Sequence, residues 1–557
     1  MKRLFAYLMV VVAFAAIMVG CAGDKNKGAK SDYTSAVSPK AAVVVRVDAY
    51  QVLQKSGLLE NFLPQLKQLA ESAEAPAPVL ALFDDLNNSG LDVKSPVYAY
   101  FEPLSKNCFF TGIVVKMHNV AKFEALLDMF RAQQDIPVCT IDGCTFIGDH
   151  EGNAAMAYND TAIMFGVVGQ EDYEVANPLK AAPYVAESLN AAAASAPTAT
   201  LPSYEGYDIA ASLNFAPIVD MLKQMPELAM SLDEQSLQMV DKCADMKMNF
   251  AFNFAAGSID LDMNVEGMPN YGMEYKLQPC SLENMKYISA QAWAVANMPI
   301  NGAVIVEALN KAVSSNSDLK ETLNNILKKA TKGNLNYATV KTFVEPLLCT
   351  VKGDVTAALN SLHITENNRY IYGEYGYETV VDTDVKADAV AVVNVVNDQI
   401  FEVASGYLPQ MMKARKMGSK LYYMEVEGLP VFFGQQGSKL YLSTPSILEL
   451  QGNSATNASW YSAVKDSYGF VVVNLDAVLA DNYVSTKVNS EIENLGEPYS
   501  NWGYQIKNSL DYLLLNIPTP ESFSLKLVLK NKRKNSLAQI VDIIDLRSIV
   551  ARQMMGL

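Results

Sequence analysis

One pattern recurs six times along the chain: an apolar strand rich in β-branched residues, an Asp or Asn, then a run with helical periodicity. The copies are VVVRVDAYQVLQ, VVKMHNVAKFEALLDMF, IAASLNFAPIVDML, AWAVANMPINGAVIVEAL, VVNVVNDQIFEVA and VVVNLDAVLA, and their strands are read as ending at Asp48, Asn119, Asn214, Asn297, Asn397 and Asp476. A short Asx side chain at a helix N-cap accepts a bond from a backbone N–H of the first turn, which stabilises the helix start by about 1 kcal/mol. These residues are therefore read as architectural, since they close different strands and no His converges on them.

The six copies divide into two sets of three. After the second copy comes CTIDGCTFIGDHEGNAAMAYNDTAIMFG and after the fifth comes YYMEVEGLPVFFGQQGSKLYLS. Both read as strand, Asp/Glu-Gly turn, strand, polar turn, strand. The spacings Asp48 to Asn297, Asn119 to Asn397 and Asn214 to Asp476 are 249, 278 and 262 residues, so the halves are colinear. The expected fold is α+β: two tandem, internally duplicated modules of antiparallel sheet with packed helices, over about 41–285 and 286–557. The Ala-rich stretch NAAAASAPTATLPS, ending at Ser203, is expected to be a loop within the first module. Aligning the Gly turns sets Cys139 and Cys144 opposite Met424 and Leu429. Both are therefore expected to be core-facing thiols, with a mutual disulfide as the alternative.

The 557-residue chain is half apolar, enough for more than one core. Its first twenty residues, MKRLFAYLMVVVAFAAIMVG, carry Lys2 and Arg3 ahead of an apolar run too short to span a bilayer. Residues 1–20 are read as an export signal. Met18-Val19-Gly20-Cys21 resembles the lipobox of bacterial lipoproteins. The resemblance implies acylation of Cys21, palmitate among the chains, and an anchored mature protein. Residues 21–40, polar and Lys-rich, are read as a flexible tether. Ala22 stands where an Asp resembles an inner-membrane retention signal, so the outer membrane is implied. Only Asp24 represents an acidic run after the Cys, which favours the periplasmic face over the cell surface.

The formal charge of -16 leaves no footprint for nucleic acid. The basic run around Lys530 to Lys534 reads as a solvated turn. Three histidines, His118, His150 and His363, share no metal-binding spacing, and no metal or other cofactor is expected. Phosphate-loop, dinucleotide and nucleophile-elbow motifs are absent. Adjacent acids such as Asp84-Asp85 and Glu171-Asp172 read as surface charge rather than as a glycosidase pair. Asp160-Thr161-Ala162 resembles the O-glycosylation motif of exported Bacteroidetes proteins, which makes Thr161 a candidate modification site.

Together the lipobox, the Asx-capped repeat and the GDVTAAL strand resemble a family of Bacteroidetes lipoproteins described as a domain of unknown function. That resemblance supplies no catalytic residues. The expected function is a non-enzymatic binding or scaffolding role for an envelope lipoprotein, with other envelope proteins as partners. The alternative is glycan binding beside a polysaccharide uptake system. Trp460 and Trp502 lie in loop-like polar sequence suited to stacking on sugars, whereas Trp293 is assigned to a strand and to the core.

One segment has no counterpart in the first half. From Ser95 to Asn119 is 24 residues, whereas Gly353 to Asn397 is 44, and the excess contains RYIYGEYGYE. A hairpin insertion near 364–385 is expected, with Gly373-Glu374 as a type II′ turn. That turn pairs Tyr372 with Tyr375 and Tyr370 with Tyr377, and sets all four rings on one face. Two readings stay open: rings that hold the hairpin against the body, or an exposed aromatic platform for a ligand.

Overall fold

The computed structural model describes residues 32–72, 76–105, 107–132, 136–170, 179–196, 201, 206–223, 234–268, 278–315, 317–330, 336–373, 376–426, 428–444 and 453–545. The chain forms two compact units, Met1–Pro269 with Asn531–Leu557, and Asn270–Lys530. These bounds differ from the expected 41–285 and 286–557 at two places. Cys280, Leu282, Met285 and Ile288 are buried in the second unit's core, which moves its start forward. The helix Ser536–Ile544 belongs to the first unit, where the Asn535 side-chain amide donates to the Phe254 carbonyl at 2.6 Å. Residues 1–20, read as an export signal, and Cys21 lie outside the described residues, among which no helix is long and apolar enough to cross a membrane. The expected tether over 21–40 ends earlier than read: Tyr33–Ala36 form a 3-10 helix, and the apolar side chains of Tyr33, Ala36 and Val37 are buried in the first unit's core.

In the first unit the strands are β1 (Val43–Val47), β2 (Val97–Ser105), β3 (Cys108–Lys116), β4 (Val138–Ile141), β5 (Cys144–Ile147), β6 (Ala154–Tyr158), β7 (Ala162–Gln170), β8 (Ile209–Asn214), β9 (Lys247–Ala255) and β10 (Ser258–Glu266). They pair antiparallel in the order β10-β9-β8-β1-β2-β3-β7-β6-β5-β4. Alternation sends Tyr98, Tyr100, Phe110, Val114 and Met164 to one face, where they are buried against Val37 and the helix Ala182–Ala194. Between β4 and β5 the Asp142-Gly143 turn forms as read, both residues at positive φ, which is what a type I′ hairpin requires.

The second unit contains β11 (Ala294–Asn301), β12 (Val351–Gly373), β13 (Gly376–Val395), β14 (Arg415–Gly418), β15 (Leu421–Val426), β16 (Leu429–Gln436), β17 (Lys439–Ser443), β18 (Phe470–Val473), β19 (Leu510–Thr519) and β20 (Ser522–Leu529). Their antiparallel order is β20-β19-β18-β11-β12-β13-β17-β16-β15-β14. Counted from each unit's first strand, the two orders coincide. Val295, Ala358, Val392, Phe470 and Val472 face a core that includes Met285, Ile288 and Trp460. The fold is α+β, with helices packed on antiparallel sheet.

Local expectations meet the structure unevenly. Asp48 and Asn119 cap their helices as read, accepting from Gln51 N at 2.9 Å and Lys122 N at 3.0 Å. Asn214 accepts a longer bond, from Ala216 N at 3.3 Å. Asn397 stands one residue before the cap position, which Asp398 occupies without a side-chain cap bond, and accepts from Gln399 N at 3.1 Å. Asn297 is no cap: it sits mid-strand in β11, 2% exposed, and accepts from the Thr356 hydroxyl. Asp476 is also no cap, because Asn474 takes that role for the helix Leu475–Ala480. The Ala-rich segment is helical through Ala194, in keeping with the helix propensity of alanine.

Candidate functional site

Across the middle of the second sheet one transverse row reads Val471, Ala296, Ala357, Ala391, Leu442, on β18, β11, β12, β13 and β17. Three alanines between a valine and a leucine make a floor lower than its walls. The row lies on the face opposite the core, where Leu442 and Val471 keep 48% and 38% of their surface. The resulting groove has a volume of about 490 Å³ and an apolar lining. In the first unit the matching row reads Ala211, Val45, Ala99, Ile113, Phe165, where Ile113 packs against a second buried cluster and larger side chains replace two of the alanines.

The groove continues onto an arm. β11 pairs with β12 only as far as Leu359, and β17 pairs with β13 only from Val390 onward. Beyond these points thirteen further pairs, from Ser361↔Asp388 to Gly373↔Gly376, run on as a two-stranded ribbon. At about 3.3 Å per residue the ribbon is about 43 Å long. In the first unit the matching hairpin closes at Ser105↔Cys108. The expected insertion is thus the lengthening of an existing hairpin.

A register shift between Leu359 and Ser361 marks the root of the arm. Asp388 accepts there from the Thr444 hydroxyl at 2.8 Å and the Asn360 amide at 3.4 Å, while the Ala389 N–H donates to Thr444 Oγ1 at 2.8 Å. The extra residue keeps the face of Ala357 and Leu359 continuous with that of Leu362, Ile364, Tyr370 and Tyr372. On β13 the same face runs from Ala391 and Ala389 through Val385 to Val381. Tyr370, Tyr372, Val381 and Val385 are 70%, 80%, 53% and 51% exposed. The opposite face of the ribbon carries Asp382, Asp384, Lys386 and Arg369. The arm is therefore amphipathic, with one charged group, Glu366, on its apolar face. Glu366 accepts from Tyr483 Oη at 2.8 Å and pairs with Lys487 at 3.0 Å, both on the helix Asn482–Asn494, and these two partners lower its pKa.

The tyrosine register differs from the expected one. Tyr372 pairs with Tyr377, Tyr370 with Thr379, and Gly373 with Gly376, two residues on from the type II′ arrangement. Glu374 and Tyr375 lie outside the described residues. The observed register sets Ile364 opposite Val385 and Leu362 opposite Ala387, apolar against apolar, and the ladder as a whole outweighs the preference of one turn. Tyr370 and Tyr372 share a face and are exposed, so these two rings do not pack against the body.

Other singled-out residues are placed elsewhere. Thr161 keeps 8% of its surface, in a turn where Asn159 Oδ1 accepts from the Thr161 and Ala162 amides. The six cysteines beyond Cys21 are free thiols, Cys144 fully buried and Cys139 3.6 Å from His150 Nδ1. His363 neighbours Ser361. Trp293 is buried as expected, but Trp460 is too, at 1% exposure, and Trp502 is half-buried beside Tyr499. Among the described residues no three His, Cys, Asp or Glu side chains stand together as a metal site.

Two buried carboxylates were not legible in the sequence. Asp208 accepts from Lys55 Nζ, Gln51 Nε2 and the Phe254 amide at 2.9, 3.0 and 2.6 Å. Asp354 accepts from the Ser281 and Leu282 amides and the Ser281 hydroxyl. Nearby Asn284 bonds Thr356, and burial pushes the Cys280 thiol up to about 11. Both carboxylates tie segments into a core and reach no groove. The alanine row was in principle readable from the alternation in AVA, TAA and AVA, but only the strand register brings those alanines together.

Three crystal forms of TP0453, I, IV and III, resemble parts of this chain at 12% identity. The matches cover 42%, 45% and 43% of this chain and 79%, 86% and 80% of theirs, each with a TM-score of 0.22, a likeness from which nothing further follows. Comparison with curated proteins finds no match. The family described as a domain of unknown function, DUF4836, matches residues 33–537, and the chain belongs to that family.

Proposed function

We propose that this protein is a membrane-anchored envelope lipoprotein of Bacteroidetes type, held at the outer membrane through Cys21, with a non-enzymatic binding or scaffolding role. Its working surface is the alanine-floored groove and arm of the second unit. The observation that carries the reading is the continuity of one exposed apolar face over groove and ribbon. A two-stranded ribbon of this length has little stability of its own in water, and an exposed apolar face of this extent marks a place of contact. The coincident strand orders support descent of both units from one duplicated module, with the arm confined to the second copy. Exposed Tyr370 and Tyr372 favour a second reading, stacking on a glycan.

The test is in-cell photocrosslinking from position 372, with position 165 on the first unit as the control. Specific capture of an envelope protein from 372 alone supports the role. Capture equal from both positions refutes the assignment of the surface. A shift on a glycan array, abolished by Tyr370→Ala and Tyr372→Ala together, decides for the glycan. A single defined product from a substrate panel, lost on changing one acid, overturns the non-enzymatic role.

A further inference from the structure

We propose that the groove of one molecule receives the arm of a second copy, in a reciprocal exchange about a two-fold axis. The inference rests on the reading of the groove and arm as the working surface, and it names the partner. Three observations favour a second copy. The first is size: the groove is lined by small side chains, Ala296, Ala357 and Ala391, whereas the arm presents large ones, Tyr370, Tyr372 and Val381. One chain thus carries both halves of a large-on-small fit, the arrangement by which facing layers interdigitate.

The second is geometry. Groove and arm lie on one face of one pair of strands, β12 and β13, in line with each other. A two-fold axis parallel to that face, perpendicular to the strands and midway along, sets each arm tip over the other molecule's groove. The contact is isologous and closes at two copies. The third is charge. The chain carries -16, yet the groove lining contains no charged residue, and Glu366 on the arm is paired with Lys487. Asp382, Asp384 and Asp388 alternate onto the other face, and Glu366, which lies near the axis, enters the contact already paired with its own Lys487, so no unpaired like charges meet.

The area is sufficient for a specific but weak contact. A ribbon about 43 Å long and about 10 Å wide offers about 400 Å² on one face in flat projection. Two arms and the two grooves beneath their tips bring the total to about 1,000 Å², where specific interfaces begin. Tethering both molecules to one membrane raises their effective concentration and favours the pairing.

The experiment uses the full chain in density-matched detergent, by sedimentation equilibrium over a hundredfold range of concentration. Two differently tagged forms, each with a photocrosslinker at 372, are then mixed. The expected result is a doubling of protein mass with concentration and cross-tag links from 372 to β11, β12 or β13. Val381→Asp with Val385→Asp, at exposed positions that leave the fold intact, is expected to abolish both. A single-copy mass throughout, with capture of a different envelope protein in cells, overturns the second-copy inference and leaves the working surface standing. A single-copy mass with no capture in cells overturns both. Links that map outside the second unit, or a dimer that survives the double substitution, overturn the arm-in-groove arrangement.

Discussion

Thr444 stands where the groove becomes the arm, and its hydroxyl joins the two. It accepts from the Ala389 N–H at 2.8 Å and sits 2.8 Å from Asp388 Oδ1, with the Ala389 carbonyl at 3.3 Å as the other acceptor. Thr444→Val keeps the branched shape and removes both roles. A part-buried N–H is then left without its acceptor, which costs about 1–3 kcal/mol. At about 1.4 kcal/mol per factor of ten, local opening at the root of the arm becomes about 5-fold to about 140-fold more frequent. Amide hydrogen exchange read by mass spectrometry measures this directly, because peptides that include Ala389 report the root and those from the first unit serve as control. The expected result is faster exchange across 385–391 with an unchanged first unit. Unaltered protection at Ala389 would refute the argument that this hydroxyl holds the root of the arm.

Asp208→Asn weakens a buried carboxylate that holds Lys55, Gln51 and the Phe254 amide, and is expected to cost about 3 kcal/mol in urea unfolding, whereas Asp128→Asn, at an exposed pair with Arg131, changes little. Burial pushes the Asp92 carboxyl up, but bonds from Lys116, Ser95 and the Lys94 amide outweigh it and hold the carboxyl below its usual range. A lowered folded-state value means that its contribution is present above about pH 4 and lost as pH falls through the folded value. Asp92→Asn should therefore flatten the acid limb of stability, and an unchanged limb contradicts the account. Cys21→Ser is expected to abolish labelling by palmitate and release the protein from the membrane fraction, and retention of both contradicts the anchor.

What the sequence disclosed follows the range of each interaction. Caps at Asp48 and Asn119 and the turn at Asp142-Gly143 depend on a few neighbouring residues, and they form where read. Asn297 carried the same local signature, but β11 continues through Pro299 to Asn301 and draws it into a buried bond with Thr356. The excess of twenty residues before Asn397 revealed the arm, because length is a property of the chain alone. Its register was not legible, since pairing Ile364 with Val385 is decided between residues twenty-one apart. Trp460 illustrates the same limit: polar neighbours suggested a loop on the surface, yet the ring is buried beneath the second sheet. The groove was the least readable feature, because its floor exists only once three separate strands align their alanines.

Hydroxyl-radical footprinting of Tyr370 and Tyr372, on dilute isolated protein and on intact cell envelopes, reads contact at the arm itself. Both rings are exposed in the isolated chain, so both should be oxidised readily there. Strong protection of the two rings is expected in the envelope, with the first unit's exposed Phe165 as an internal reference. Oxidation of the tyrosines in the envelope at the isolated rate, relative to that reference, would contradict a working surface built from the groove and its arm.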